Sequence, residues 1–82
     1  MILVDIFVPS IDKTYDFQLN EEVAIDALIE EISEMIGQKE HSVIKGDVSN
    51  LQLCDWEGRR VLPKNMSLSE CHIVTGKKLV LV

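Results

Sequence analysis

The apolar positions of the chain change period along its length, and each change marks an element. Over MILVDIFV they alternate, so that Ile2, Val4, Ile6 and Val8 share one face and Leu3, Asp5 and Phe7 the other, the pattern of a half-buried strand. Pro9 to Lys13 is turn material, because proline pre-sets one backbone angle and Asp12 tolerates left-handed geometry. Alternation resumes from Thr14 to Leu19, with Tyr15, Phe17 and Leu19 inward and Thr14, Asp16 and Gln18 outward, which predicts a β-hairpin. From Asn20 to Gly37 the period becomes helical. Ile25, Leu28, Ile29, Ile32 and Ile36 fall at i, i+3, i+4, i+7 and i+11, while Asp26, Glu30, Glu31 and Glu34 lie off that stripe. Asn20 is the expected N-cap, Glu21 and Glu22 suit the positive end of the helix dipole, and Gly37 is the expected stop, so the helix is predicted over about 22–37.

Downstream, Gln38 to Asn50 reads as a long connection with a turn at Lys45-Gly46-Asp47. Leu51 to Cys54 is predicted as a third strand, Trp56 to Arg60 as a turn, and Val61-Leu62 as a short fourth strand stopped by Pro63. Ser67-Leu68-Ser69-Glu70 has the spacing of a capped helical turn. Gly76 permits a bend into a last strand, Lys78 to Val82, with Leu79 and Leu81 inward. That strand is too apolar to lie at an exposed edge and belongs mid-sheet, beside the first strand. The expectation is an α+β fold, one domain over residues 1–82, in which a mixed four- to five-stranded sheet packs on one main helix.

Composition narrows the function. With 14 acidic against 8 basic side chains and a net charge of −6, the surface disfavours nucleic acid, which needs clustered Lys and Arg, and suits a protein partner instead. A hydrophobic content of 46% argues against disorder. The apolar N-terminus is interrupted by Asp5 and far shorter than the roughly 20 residues that span a bilayer, so no direct membrane insertion is expected. Two cysteines, Cys54 and Cys71, are too few for a disulfide framework and fit reduced thiols in a cytoplasmic protein.

Candidate chemistry is sparse. His41, Cys54, Cys71 and His72 are the available soft ligands, but Cys71 and His72 are adjacent and no CxxC or HxxxH occurs, so no metal is expected. Cys54 reads as a small mid-strand hydrophobe, and nothing local lowers either thiol pKa. The acidic row Asp26, Glu30 and Glu34 reads as a solvated helix face. The four glycines form neither GxxxxGK[ST] nor GxGxxG, so no nucleotide cofactor is implied. The chain reads as a non-enzyme without cofactors.

What remains is surface. Leu3, Phe7, Cys54, Val80 and Val82 fall on the side of the sheet away from the helix, either as a curved face covered by neighbouring side chains or as an exposed apolar patch that binds. Trp56, beside a turn, is either a core lid or an interface anchor. These six residues are the candidate protein-binding surface, and a second copy of the chain is among the occupants such a face could take.

The order of elements resembles the β-grasp of ubiquitin-like proteins. Lys13-Thr14-Tyr15-Asp16-Phe17 resembles ubiquitin's second strand, and Leu28 to Ile32 the middle of its helix. Leu68-Ser69-Glu70-Cys71-His72-Ile73, followed by Leu79-Val80-Leu81, resembles its LSDYNI segment and last strand. Ubiquitin and the sulfur carriers close on a Gly-Gly tail, whereas this sequence closes at Val82, so the expectation is neither conjugation nor carrier function. With Ile73-x-x-Gly76 before its last strand, the chain is similar to the bacterial YukD/EsaB family of type VII (WXG100/Ess) secretion systems. That resemblance implies a cytoplasmic accessory protein, recruited to the inner face of the membrane through the cytosolic domain of a secretion membrane component. The alternative is a ubiquitin-like interaction module of an unrelated regulatory complex.

Overall fold

The computed structural model of the chain describes residues 1–40 and 50–82. The expected connection from Gln38 falls partly outside them, and the turn at Lys45-Gly46-Asp47 wholly so. Among the described residues, five strands and one long helix follow in the order β1 (Ile2–Val8), β2 (Lys13–Leu19), α1 (Ile25–Glu40), β3 (Leu53–Asp55), β4 (Arg60–Val61) and β5 (Lys78–Leu81), with a 3-10 turn at Pro9–Ile11. The sheet order is β2-β1-β5-β3-β4. Only β1 and β5 run parallel, so the sheet is mixed. The most apolar strand, β5, sits at its centre, where both its edges are paired.

Strand alternation holds as read. Val4, Ile6, Val8, Phe17, Leu19, Leu53, Leu79 and Leu81 turn inward and are buried against Ile25, Leu28, Ile29, Ile32 and Ile36 of α1. The acidic positions Asp26, Glu30, Glu31 and Glu34 are exposed on the opposite helix face. At the β1–β2 turn Asp12 adopts φ 52 and its N–H donates to the Pro9 carbonyl at 3.2 Å, the left-handed closure that aspartate tolerates. Gly76, at φ 96, makes the bend before β5, where a side chain would be strained.

The helix ends are displaced from the sequence expectation. Asn20 does not cap the helix; its Oδ1 accepts from the Glu22 N–H at 3.0 Å and its carbonyl from Val23 at 3.2 Å, closing a turn ahead of it. The helix opens at Ile25 because its free donors find tertiary partners: Ile25 N–H donates to Met66 O at 2.9 Å and Asp26 N–H to Lys64 O at 3.1 Å. Nor does Gly37 stop it. Helical backbone runs on to Glu40, whose carboxylate accepts from Lys13 Nζ at 2.7 Å and from the Tyr15 hydroxyl, while Lys39 lies 5.4 Å from the Tyr15 ring centroid. The hydrogen bond to Glu40 holds the phenol protonated, its pKa pushed up to about 12. The third and fourth strands are likewise shifted, to Leu53–Asp55 and Arg60–Val61, although Gln52 still exchanges backbone hydrogen bonds with Val82 at 2.6 and 2.9 Å.

Ser67 and Glu70 form the reciprocal cap that their spacing announces: Ser67 N–H donates to Glu70 Oε1 at 2.9 Å and Glu70 N–H to Ser67 Oγ at 3.2 Å. Two buried side-chain oxygens, Asp55 Oδ1 on β3 and Ser33 Oγ on α1, are left over among the described residues. Ser33 Oγ faces inward on α1 with no hydrogen-bond partner among the described residues. Ser33→Ala removes that hydroxyl and adds helix propensity, so it should stabilise by about 1 kcal/mol and raise the thermal midpoint by roughly 4–8 °C. A lowered midpoint in a melting experiment would show that the hydroxyl is bonded after all.

Candidate protein-docking face

Strand register builds the outward side of the sheet. Thr14 pairs with Phe7, Phe7 with Val80, Val80 with Cys54, and Cys54 with Val61, so one row of side chains crosses all five strands. One pleat away runs a second row, Asp16, Asp5 and Lys78, continued by Trp56, whose N–H donates to the Lys78 carbonyl at 3.0 Å. Val82 flanks the first row on its other side.

The candidate residues occupy these rows unequally. Trp56 is 59% exposed, which rules out the core-lid reading. Val82 is exposed, and Phe7 and Cys54 are half-buried. Val80 is only 8% exposed: it faces outward but forms the floor between its neighbours rather than part of an open patch. Leu3 is exposed yet stands apart, because Asp5 separates it from Phe7 along β1 and its backbone is engaged by Thr75 and Gly76. Sequence reading missed Val61, 53% exposed, which completes the apolar row; a two-residue strand carries too little alternation to assign a face.

Trp56 stands between two depressions that share Val80 as floor. One, of about 510 Å³, is lined by Cys54, Val61, Val82 and Arg59; the other, of about 350 Å³, by Phe7, Thr14, Asp5 and Lys78. The β3–β4 turn that holds the indole is braced from beneath. Asp55 is buried, with Oδ2 3.6 Å from Arg60 Nε, and Arg60 also donates to the Cys71 carbonyl. A Cβ on Gly58 would lie 2.6 Å from that same Oδ2, so the turn closes over the carboxylate only with glycine there. Lys77 Nζ reaches Glu57 at 3.4 Å beside it.

Neither cysteine of the described residues is activated by its surroundings. Burial pushes the Cys54 thiol up, and burial does the same to Cys71 against the opposing pull of Arg60, which favours thiols over nucleophilic thiolates. Among the described residues no three His, Cys, Asp or Glu side chains are grouped to hold a metal ion, and no helix is long and apolar enough to cross a membrane.

Asp5 and Asp16 sit directly opposite each other on β1 and β2. A hydrogen bond shared with Asp16, then desolvation and the Asp16 charge, raise the Asp5 carboxyl above its ordinary range, against Lys78. A raised folded-state pKa means the fold gains stability as pH falls through it, fully so below the unfolded value, and loses it at neutral pH. Asp16→Asn should therefore raise the midpoint at pH 7 by roughly 1–4 °C, with the gain vanishing near pH 3–4. A gain that persists unchanged in acid would contradict like-charge repulsion as its source.

The comparisons agree with this architecture. Residues 3–81 match the family model described as WXG100 protein secretion system (Wss), protein YukD. Among solved structures, the chain is similar to the EccD5 ubiquitin-like domain from Mycobacterium xenopi, at 21% identity over 99% of this chain and 91% of that one, with a TM-score of 0.78. It is similar also to the ubiquitin-like domain of Plasmodium falciparum Dsk2, at 16% identity over 99% and 95% of the two chains and a TM-score of 0.75. A designed protein based on human erythrocytic ubiquitin gives 22% identity, 100% and 90% coverage, and a TM-score of 0.73. No curated protein sequence matches the chain. At such identities the structural likeness establishes the fold, a ubiquitin-like β-grasp. The family match, which spans nearly the whole length, establishes more: this chain belongs to the YukD family of the WXG100 protein secretion system.

Proposed function

We propose that the protein is a non-catalytic, non-conjugated adaptor of the WXG100 secretion system, acting at the cytosolic side of the membrane by docking its outer sheet face on a larger subunit. Family membership supports the system. The observation that carries the docking mode is Trp56, 59% exposed between two depressions floored by Val80, because large aromatics central to an interface dominate binding energies. A cytosolic domain of a secretion membrane component is the partner of choice. The EccD5 neighbour's own description as a ubiquitin-like domain fits a system that uses this fold.

The test is a titration of the purified protein against the cytosolic domains of the membrane subunits encoded with it, repeated with Phe7→Asp. Phe7 is half-buried beside Val80, and a carboxylate there should weaken binding at least about tenfold while the protein stays folded. Unchanged binding by a folded Phe7→Asp protein would move the contact elsewhere; no binding to any of these domains would overturn the adaptor reading.

A further inference from the structure

We infer that the outer face takes an amphipathic partner helix laid across the strands, with its basic half over β1–β2 and its acidic half over the β3–β4 turn. This rests on the reading of that face as the docking surface and adds the shape and polarity of the occupant.

The geometry comes from the two rows. The apolar row Phe7, Val80, Cys54 and Val61 runs across the strands rather than along one of them, so a complementary stripe must also cross them. An added edge strand would lie parallel to β2 or β4 and miss it. From β2 to β4 the sheet order counts four inter-strand gaps, roughly 19 Å at about 4.8 Å each, a span filled by about 13 helical residues. The second row lies one pleat away, about 7 Å, close to the distance from the underside of a helix to its flank. A helix seated on the first row therefore carries its flanking side chains over the second.

That second row is polarised. Asp16 and Asp5 face each other over β2 and β1, and Lys78 and Trp56 follow over β5 and β3. Beyond Trp56 comes Arg59, which lines the larger depression and has no partner among the described residues. Its neighbours are matched: Arg60 is held by Asp55 and Cys71, and Lys77 by Glu57. So one end of the face carries two opposed carboxylates with one lysine beside them, and the other carries an unmatched guanidinium. Two sites of opposite charge at the ends of one apolar row fix the direction in which a helix with an acidic and a basic half can lie. A second copy of the chain does not supply this helix, because α1 buries its apolar stripe in its own core and exposes acidic residues along the other face.

The probe is a designed 16-residue peptide with a leucine stripe, glutamates in its N-terminal half, lysines in its C-terminal half and a nitroxide at its C-terminus. Titrated into isotope-labelled protein, it should shift amides of β5, β3 and the β3–β4 turn saturably, with the nitroxide broadening amides of β1 and β2 and sparing residues 57–60. Arg59→Glu should weaken binding about three- to tenfold, and Arg59→Glu with Asp16→Lys should move the broadening to the β3–β4 turn. Saturable shifts on this face with broadening that ignores the charge reversal would overturn the polarity and leave the docking face standing. Shifts confined to α1, or none at millimolar peptide, would overturn the helical occupant, and the subunit titration then decides the docking reading by itself.

Discussion

Replacement of Trp56 by alanine is expected to weaken docking about thirtyfold or more while moving the stability of the free protein by no more than about 1 kcal/mol. The two halves of that expectation come from different surfaces of one residue. The indole is 59% exposed, so little of its area supports the fold. It also forms the wall between both depressions, so its removal merges them into one shallow basin and strips the Val80 floor of its rim. The turn that carries it keeps its shape through Asp55, Arg60 and Gly58, none of which touches the indole's role as anchor. Trp56→Phe should retain a substantial part of the affinity, because an aromatic ring of smaller area still fills the ridge. Calorimetric titration against the cytosolic partner domain, paired with thermal melts, separates the two effects. Equal affinity of the alanine variant would remove Trp56 from the interface; a melt lowered by several degrees would make it part of the scaffold instead.

Trp56 also marks how far the sequence carried. Periodicity placed the helix stripe and the inward side of every long strand correctly, because burying one face of a seven-residue strand leaves no freedom in register. The central position of β5 followed from the unbroken apolar run Leu79 to Val82. The two misplaced helix ends have one physical source, namely partners distant in sequence. Asn20 is a good cap by composition, yet the helix starts where Lys64 and Met66 offer carbonyls. Gly37 is a good stop, yet Lys13 and Tyr15 hold Glu40 and carry the helix past it. For the candidate face, Phe7, Cys54, Val80 and Val82 were legible as outward positions, whereas Trp56 could be read from its turn as either a core lid or an interface anchor. Their degree of exposure was not legible, because Val80 is covered by neighbours from other strands. Leu3 shares the face by alternation alone, and the row that matters passes it by. Arg59 gave no signal, since one of two adjacent arginines in a turn acquires meaning only once its neighbour Arg60 is seen to be matched and it is not.

Leu79→Ala should produce the largest loss of stability in the molecule, about 3–4 kcal/mol, with no change in the docking surface's chemistry. Leu79 is fully buried, on the strand that is paired on both sides, opposite Ile6 of β1 and Asp55 of β3. Its side chain therefore cannot be replaced by a shift of an edge, and the cavity left by truncation persists. A chain of this length has roughly 4–12 kcal/mol of stability to lose, so the variant should melt roughly 12–30 °C lower and unfold at much reduced denaturant. Val80→Ala, one residue along, is the control that gives the result its meaning. Val80 points to the other side of the same strand, and loss of its two methyl groups should cost no more than about 1–2 kcal/mol while opening the floor beneath Trp56. The pair thus predicts opposite profiles: Leu79→Ala strongly destabilised with native affinity per folded molecule, Val80→Ala nearly as stable with weakened docking. If both variants lost stability equally and bound equally, β5 would serve the core on both faces, and the outer sheet face would be a packing surface rather than a recognition surface.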